Sequence, residues 1–264
     1  METLLNPTTA LILIFVISAL VIGLWGNLWY LFKKEVSSVL LSPILYIFTA
    51  VFLVLTGIFF FEGVTRGPSP QATLRPLLGT ISFVLLFFSP AITMRLFSEE
   101  ARSGTIETLM TAPVSEIQVV LAKFFAGLTF FIIMLLPTFA YALVLNSMAT
   151  AGIDFGPILS GYLGLLLLGC TFIALGTFIS SLTKNQIIAF VITVTTMLVL
   201  WVIGFLAGEK TEPLFQVMAY IGIQEHVNDF VKGVVDSRNM IYFLSTTIFC
   251  LFLTVRSLES RKWR

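Results

Sequence analysis

Seven apolar runs divide the chain: Leu11 to Leu24, Ile44 to Phe61, Leu77 to Leu96, Val119 to Leu145, Ile158 to Leu182, Ile187 to Leu206 and Ile241 to Val255. A helix rises about 1.5 Å per residue, so roughly 20 apolar residues cross a hydrocarbon core of about 30 Å. The middle five runs are long enough to span. The last is completed by Leu258, and the first spans only if it extends to Trp29. Prolines stand where helices should begin, at Ser42-Pro43, Arg75-Pro76, Gly156-Pro157 and Glu212-Pro213. At a first helical position the missing N–H costs nothing. Ser115 and Gln118 fit a capping box at the head of another span. Pro90 and Pro137 fall inside spans and should kink them. The pattern predicts an all-α, polytopic helical bundle of six spans, or seven if Leu11 to Leu24 also crosses, in one domain over residues 1–264.

One stretch is amphipathic instead of uniformly apolar. Between residues 25 and 41, Leu28, Phe32, Val36, Val39 and Leu40 share a helical face, while Lys33, Lys34, Ser37 and Ser38 lie largely elsewhere. Trp25, Trp29 and Tyr30 favour the interface. This reads as a helix lying on the membrane surface before the chain turns in at Pro43. One long tilted helix from Leu11 is the other reading of the same pattern.

Composition agrees with membrane embedding. The chain is 58% hydrophobic and 11% charged, with a mean hydropathy of +1.01. A soluble domain carries about 25% charged residues. The net charge of +1 gives no reason to expect nucleic acid. Its distribution is more telling. Lys33, Lys34, Arg95, Arg102, Lys123, Lys184, Arg256, Arg261, Lys262 and Arg264 fall at one set of helix ends, and Arg66, Arg75, Lys210, Lys232 and Arg238 at the other. The larger set is expected in the cytoplasm. Residues 62–75, 147–156 and 208–238 are then external. Met1 to Ala10 holds no Lys or Arg, so a cleaved signal peptide is not expected.

Candidate chemistry is sparse. One histidine, His226, and two distant cysteines, Cys170 and Cys250, do not make a metal site. Ser89 and Ser180 have no nearby base in the sequence, and no phosphate-cradling glycine loop is present. No cofactor is expected on this chain. Ser160, Gly164 and Gly169 read as points of close helix contact.

The most informative stretch is residues 98–117, between two spans. Glu99, Glu100 and Arg102 should continue the preceding helix beyond the membrane. Gly104 is suited to end it. Thr105 can cap a short helix to Met110, with Glu107 in its first turn where the helix dipole favours an anion. Pro113 stops that helix and Ser115 opens the next span. Composition alone would make this a plain polar connector.

The stretch resembles the signature loop of type-2 ABC exporter permeases, in which a Glu-rich helix end, Gly-Thr, a Glu and a downstream Pro precede a span. The matching residues are Glu99, Glu100, Arg102, Gly104, Thr105, Glu107, Pro113 and Lys123. Lys33, Lys34 and Glu35, Ser42-Pro43 and the run to Phe61 are similar to the elbow helix and first span of the gliding-motility-type subfamily. His226, Phe230, Gly233, Asp236, Tyr242, Phe243 and the tail Thr254 to Trp263 are similar to its C-terminal part. The resemblance implies a multi-pass subunit of a bacterial cytoplasmic membrane, not an enzyme, that dimerises with a second copy or a paralogue. It also implies separate ABC ATPase subunits that hold the ATP and Mg. The elbow helix over 25–41 would lie on the inner surface, loop 98–117 would dock on the ATPase, and 208–238 would form an external re-entrant hairpin. In that hairpin Ile223, Val227, Phe230, Val231 and Val234 share an apolar face, Gly222 permits a turn, and Asp236 can cap the last span. An ion-coupled secondary transporter or a membrane assembly scaffold would share the topology. The first usually needs repeats and intramembrane ion sites, and the second has no need of a docking loop.

Overall fold

A computed structural model describes residues 26–66, 73–107, 114–148, 153–207, 217–218 and 220–261. The run Leu11 to Leu24, Pro113 and Glu212-Pro213 lie outside those residues. Helix α1 covers residues 26–40 and turns at Leu41 into α2, Pro43–Arg66. α3 is Arg75–Thr93, α4 Ser98–Ser103 and α5 Glu116–Leu135. A 3-10 turn, Leu136–Thr138, leads into α6, Phe139–Met148. Then come α7 (Phe155–Leu182), α8 (Gln186–Ala207), α9 (Ile223–Lys232) and α10 (Ser237–Arg261). No strand occurs among the described residues. Six stretches are long and apolar enough to cross a membrane: Pro43–Gly63, Arg75–Ser103, Glu116–Ser147, Phe155–Leu182, Gln186–Leu206 and Ser237–Arg261. The protein is an all-α, polytopic membrane protein.

Local signals set the helix starts. Pro43 opens α2, and Pro76 lies in the first turn of α3. Ser115 Oγ accepts from the Gln118 amide at 3.3 Å while Gln118 Oε1 accepts from the Ser115 amide at 2.9 Å, closing the expected capping box. Asp154 Oδ1 accepts from the Gly156 amide at 3.0 Å at the head of α7, and Asp236 Oδ1 from the Arg238 amide at 2.9 Å at the head of α10. Pro137 sits in the 3-10 turn that separates α5 from α6 within one span.

α7 is the central helix and touches α3, α5, α8, α9 and α10. In lipid there is no hydrophobic drive to bring helices together, so close packing through small residues does much of that work. Its glycines show how. A Cβ on Gly164 would lie 2.5 Å from the Phe230 Cβ, one on Gly169 would lie 2.4 Å from the Phe131 ring, and one on Gly176 would lie 2.0 Å from Thr93 Oγ1. Polar side chains add cross-helix bonds: Ser160 Oγ donates to the Phe230 carbonyl at 2.8 Å, and Thr171 Oγ1 to the Phe243 carbonyl at 3.2 Å. Spans Arg75–Ser103, Glu116–Ser147 and Phe155–Leu182 are mostly buried within the bundle. Spans Pro43–Gly63, Gln186–Leu206 and Ser237–Arg261 lie outside them.

Several expectations need correction. The helix carrying Arg95 does not run straight on through Arg102. It stops at Thr93 and restarts at Ser98 after a turn. Leu40 and Val234, placed on apolar inner faces, are 39% and 54% exposed. Leu40 is the last residue of α1, and Val234 lies beyond the end of α9, after the left-handed Gly233 has turned the chain away from the helical face. Gly222 is not needed for an unusual turn, since its φ is −67°. It is needed for proximity: a Cβ there would stand 2.2 Å from the Gly204 Cα.

Candidate functional site

Lys123 lies in α5, seven residues beyond Glu116, or about 10 Å along the helix axis. A charge buried among apolar helices is expensive unless it is paired. Its side chain is 3% exposed, and it is paired twice. Nζ donates to Glu100 Oε1 at 2.7 Å and to Glu35 Oε1 at 3.2 Å. The Phe97 ring lies beneath it, with its centroid 5.3 Å away. One ammonium therefore joins α1, α4 and α5. Two donors are spent on carboxylates, and the aromatic face covers the group.

Ser180 of α7 explains the break between α3 and α4. Its Oγ accepts from the amides of Phe97 and Ser98, both at 3.1 Å, and donates to the Met94 carbonyl at 3.2 Å. Those groups would otherwise bond along a continuous helix. Ser98 Oγ also bonds the Met94 carbonyl. The break turns Phe97 inward until it is fully buried, and it brings Glu100 under Lys123.

Gly104 closes α4 in the left-handed region at φ 76°, as its place after Arg102 predicts. Residues 105–107 are helical. Thr105 is the first helical residue here, not the cap, and its hydroxyl lies 2.9 Å from that of Ser103. The Glu107 amide bonds back to the Gly104 carbonyl at 3.3 Å. Arg102, Gly104, Thr105 and Glu107 are exposed at the tip of the loop. The remainder of the short helix to Met110 lies outside the described residues. Lys33 and Lys34 are exposed on α1.

At the opposite end of the bundle α9 and the head of α10 form a second constellation. Ile223, Val227, Phe230 and Val231 are buried as one face. Gly233 ends α9 at φ 97°, with its own amide on the Phe230 carbonyl and the Val234 amide on that of Asp229. His226 is 7% exposed. Its Nδ1 lies 2.6 Å from Asn239 Oδ1 and its Nε2 3.0 Å from the Tyr220 carbonyl. Asn239 Nδ2 donates to Asp229 Oδ2 at 2.9 Å, which fixes the amide's orientation. The imidazole stacks on Tyr242 with centroids 4.0 Å apart. His226 thus fastens α9 to α10.

The structure brings Glu35 and Glu100 together on Lys123, and leaves Lys33, Lys34, Glu99, Arg102, Thr105 and Glu107 facing solvent. His226, Phe230, Gly233 and Asp236 form a separate cluster. Sequence reasoning weighed Ser180 only as a nucleophile and missed its capping role, and it missed Asn239 and the carbonyl of Tyr220. The sequence did carry a signal for Lys123, a single cation within an otherwise apolar run.

A comparison with curated proteins returned no match. A family model described as ABC-2 family transporter protein matches residues 29–248, from α1 into α10. With six apolar spans and that match covering most of its 264 residues, the chain belongs to the ABC-2 transporter family and is a transmembrane permease subunit of an ABC transporter.

Proposed function

We propose that this permease works in export, as a dimer seated on separate ATPase subunits that bind the ATP and Mg, in a bacterial cytoplasmic membrane. The basic end of the bundle faces the cytoplasm, and the loop from Ser98 to Ile117 is the surface that receives the ATPase. The observation that carries this reading is the double pairing of Lys123 with Glu35 and Glu100. A plain connector needs no buried charge to fasten it. Here the loop is tied to a surface helix and to a span at one point, so a push on its tip reaches α1 and α5 together. The exposed tip, with Gly104, Thr105 and Glu107, is the part left free for a partner. The subfamily is the gliding-motility type, a reading supported by the resemblance of the elbow residues Lys33, Lys34 and Glu35 and of the C-terminal stretch.

The test is co-purification. A tagged full-length chain is extracted from native membranes in mild detergent, and its companions are identified by mass. Recovery of an ABC ATPase chain in comparable amount supports the reading. Recovery of the permease with other membrane chains and no ATPase would favour an assembly scaffold instead. Ion-driven uptake into vesicles without ATP would favour a secondary transporter.

A further inference from the structure

Beside the Lys123 node lies a cavity of about 330 Å³, between α1, the start of α2, the turn after α3, and α5. Its lining is polar on one side and apolar on the other. The polar side holds Glu35, Glu99, Glu100, Arg95 and Lys123, with Ser38 and Ser42 at the rim. Lys123 is already engaged by Glu35 and by one oxygen of Glu100. What is left over is specific. Glu100 Oε2 and Arg95 Nε are both buried from solvent and have no hydrogen-bond partner. A buried polar atom left unpaired costs about 1–3 kcal/mol, and more when charged. The lining residues therefore carry one guanidinium nitrogen and one carboxylate oxygen without partners.

The apolar side does not close. Phe48 and Ala91 also line a second groove of about 380 Å³, whose walls are Phe87, Met94, Ile187 and Phe190. That groove runs along α2, α3 and α8 and is almost purely apolar. A charged pocket at the membrane surface thus adjoins an apolar groove that follows the spans. The combined shape is that of an amphiphile. We propose that the pair of cavities is a binding site for a phospholipid of the leaflet at the basic end, with a headgroup carrying both a phosphate and a primary ammonium. The phosphate meets Arg95, the ammonium meets Glu99 and Glu100, and an acyl chain lies on Phe48 and Ala91 toward Phe190. Charge complementarity selects this headgroup. The pocket holds three carboxylates and two cations, so a purely anionic headgroup meets net repulsion there, while a phosphate with an ammonium finds a partner for each of its charges. The proposal does not depend on the direction of transport or on any ATPase.

The test uses the full chain in nanodiscs of equal parts phosphatidylethanolamine and phosphatidylglycerol, extracted gently and read by native mass spectrometry. The parent chain is expected to retain phosphatidylethanolamine about tenfold over phosphatidylglycerol, the ratio that corresponds to ~1.4 kcal/mol. Glu99→Gln should remove most of that preference, whereas Arg95→Gln, which loses a contact to the phosphate that both lipids carry, should lower the retained amount of each. Glu99 is exposed, so its variant keeps the fold testable even if Arg95→Gln does not insert. Equal retention of the two lipids by the parent overturns the proposal, as does preference for phosphatidylglycerol. So does a preference unchanged in Glu99→Gln, or retention of both lipids unchanged in Arg95→Gln, either of which would put the lipid elsewhere on the bundle. Release of the bound lipid by soluble phosphoethanolamine at millimolar concentration would assign the pocket to a small amine-phosphate and overturn the lipid as its occupant.

Discussion

The hydroxyl of Ser180, on the central helix, accepts from the backbone amide of Phe97 at 3.1 Å, across 83 positions of sequence. With the matching bond from Ser98 it gives the interrupted helix a cap supplied by another helix. Replacing Ser180 with Ala leaves two buried amides without an acceptor. Each unmet donor costs about 1–3 kcal/mol, so the variant should insert but melt earlier in detergent. Thermal unfolding of purified Ser180→Ala against the parent measures this. An unchanged melting temperature would mean that water replaces the hydroxyl and that the break holds itself.

Lys123→Met should destabilise the bundle by roughly 3–5 kcal/mol at most, the range for removing one partner of a buried pair. The true figure should fall below that, because Glu35 and Glu100 keep some exposure, at 19% and 23%. The informative comparison is the triple variant Lys123→Met with Glu35→Gln and Glu100→Gln. With no charge stranded, it should recover a good part of the lost stability while remaining inactive in transport. If the triple variant is as unstable as the single one, packing of the lysine stem matters more than its charge.

At the loop tip, Gly104→Val forces a branched side chain into a left-handed backbone, which L residues resist by ~1–2 kcal/mol. Glu107→Ala removes an exposed anion from the start of the short helix. Both proteins should reach the membrane in normal amount and lose ATP-driven transport. Transport assays in vesicles with the co-purified ATPase, together with the ATPase rate itself, separate lost docking from lost transmission. Transport at parental rate in both variants would reduce the loop to a connector.

His226→Gln should keep the junction of α9 and α10, since an amide can still bond Asn239 or the Tyr220 carbonyl. His226→Leu should not, and ought to lose about 1–3 kcal/mol because Asn239 Oδ1 is left facing an apolar group. Limited proteolysis of the region between residues 217 and 237 reads the difference. Equal resistance in both variants would show that stacking on Tyr242, not hydrogen bonding, secures the hairpin.

Most of the bundle was legible because spans declare themselves by length and apolar continuity, and caps by residues only two or three positions away. Ser115 with Gln118, Asp236 and Gly104 are all local in this sense. The apolar face of α9 was legible too, through its helical spacing. What the sequence hid were relations between distant helices. Nothing near Glu35 says that it meets a lysine 88 positions on, and nothing near Ser180 says that it caps a turn in another span. Gly222 looked like a turn residue because glycine usually is one. Its packing on Gly204 is a property of two backbones that only the folded bundle brings together.

The glycines of α7 have a consequence for motion. Where Gly164, Gly169 and Gly176 stand, side chains of α9, α5 and α3 occupy the space a methyl group would fill. Helices keyed together in this way cannot slide or roll past one another without first separating. Working strokes of this permease therefore have to leave α7 and the helices keyed to it as a fixed axle. The outer span free to swing is α2, which presents a long row of apolar side chains, whereas α8 is held through Gly204 against Gly222. A spin label on α2 should report large changes in distance from α7 through a transport cycle, while labels on α3 and α7 stay at constant separation.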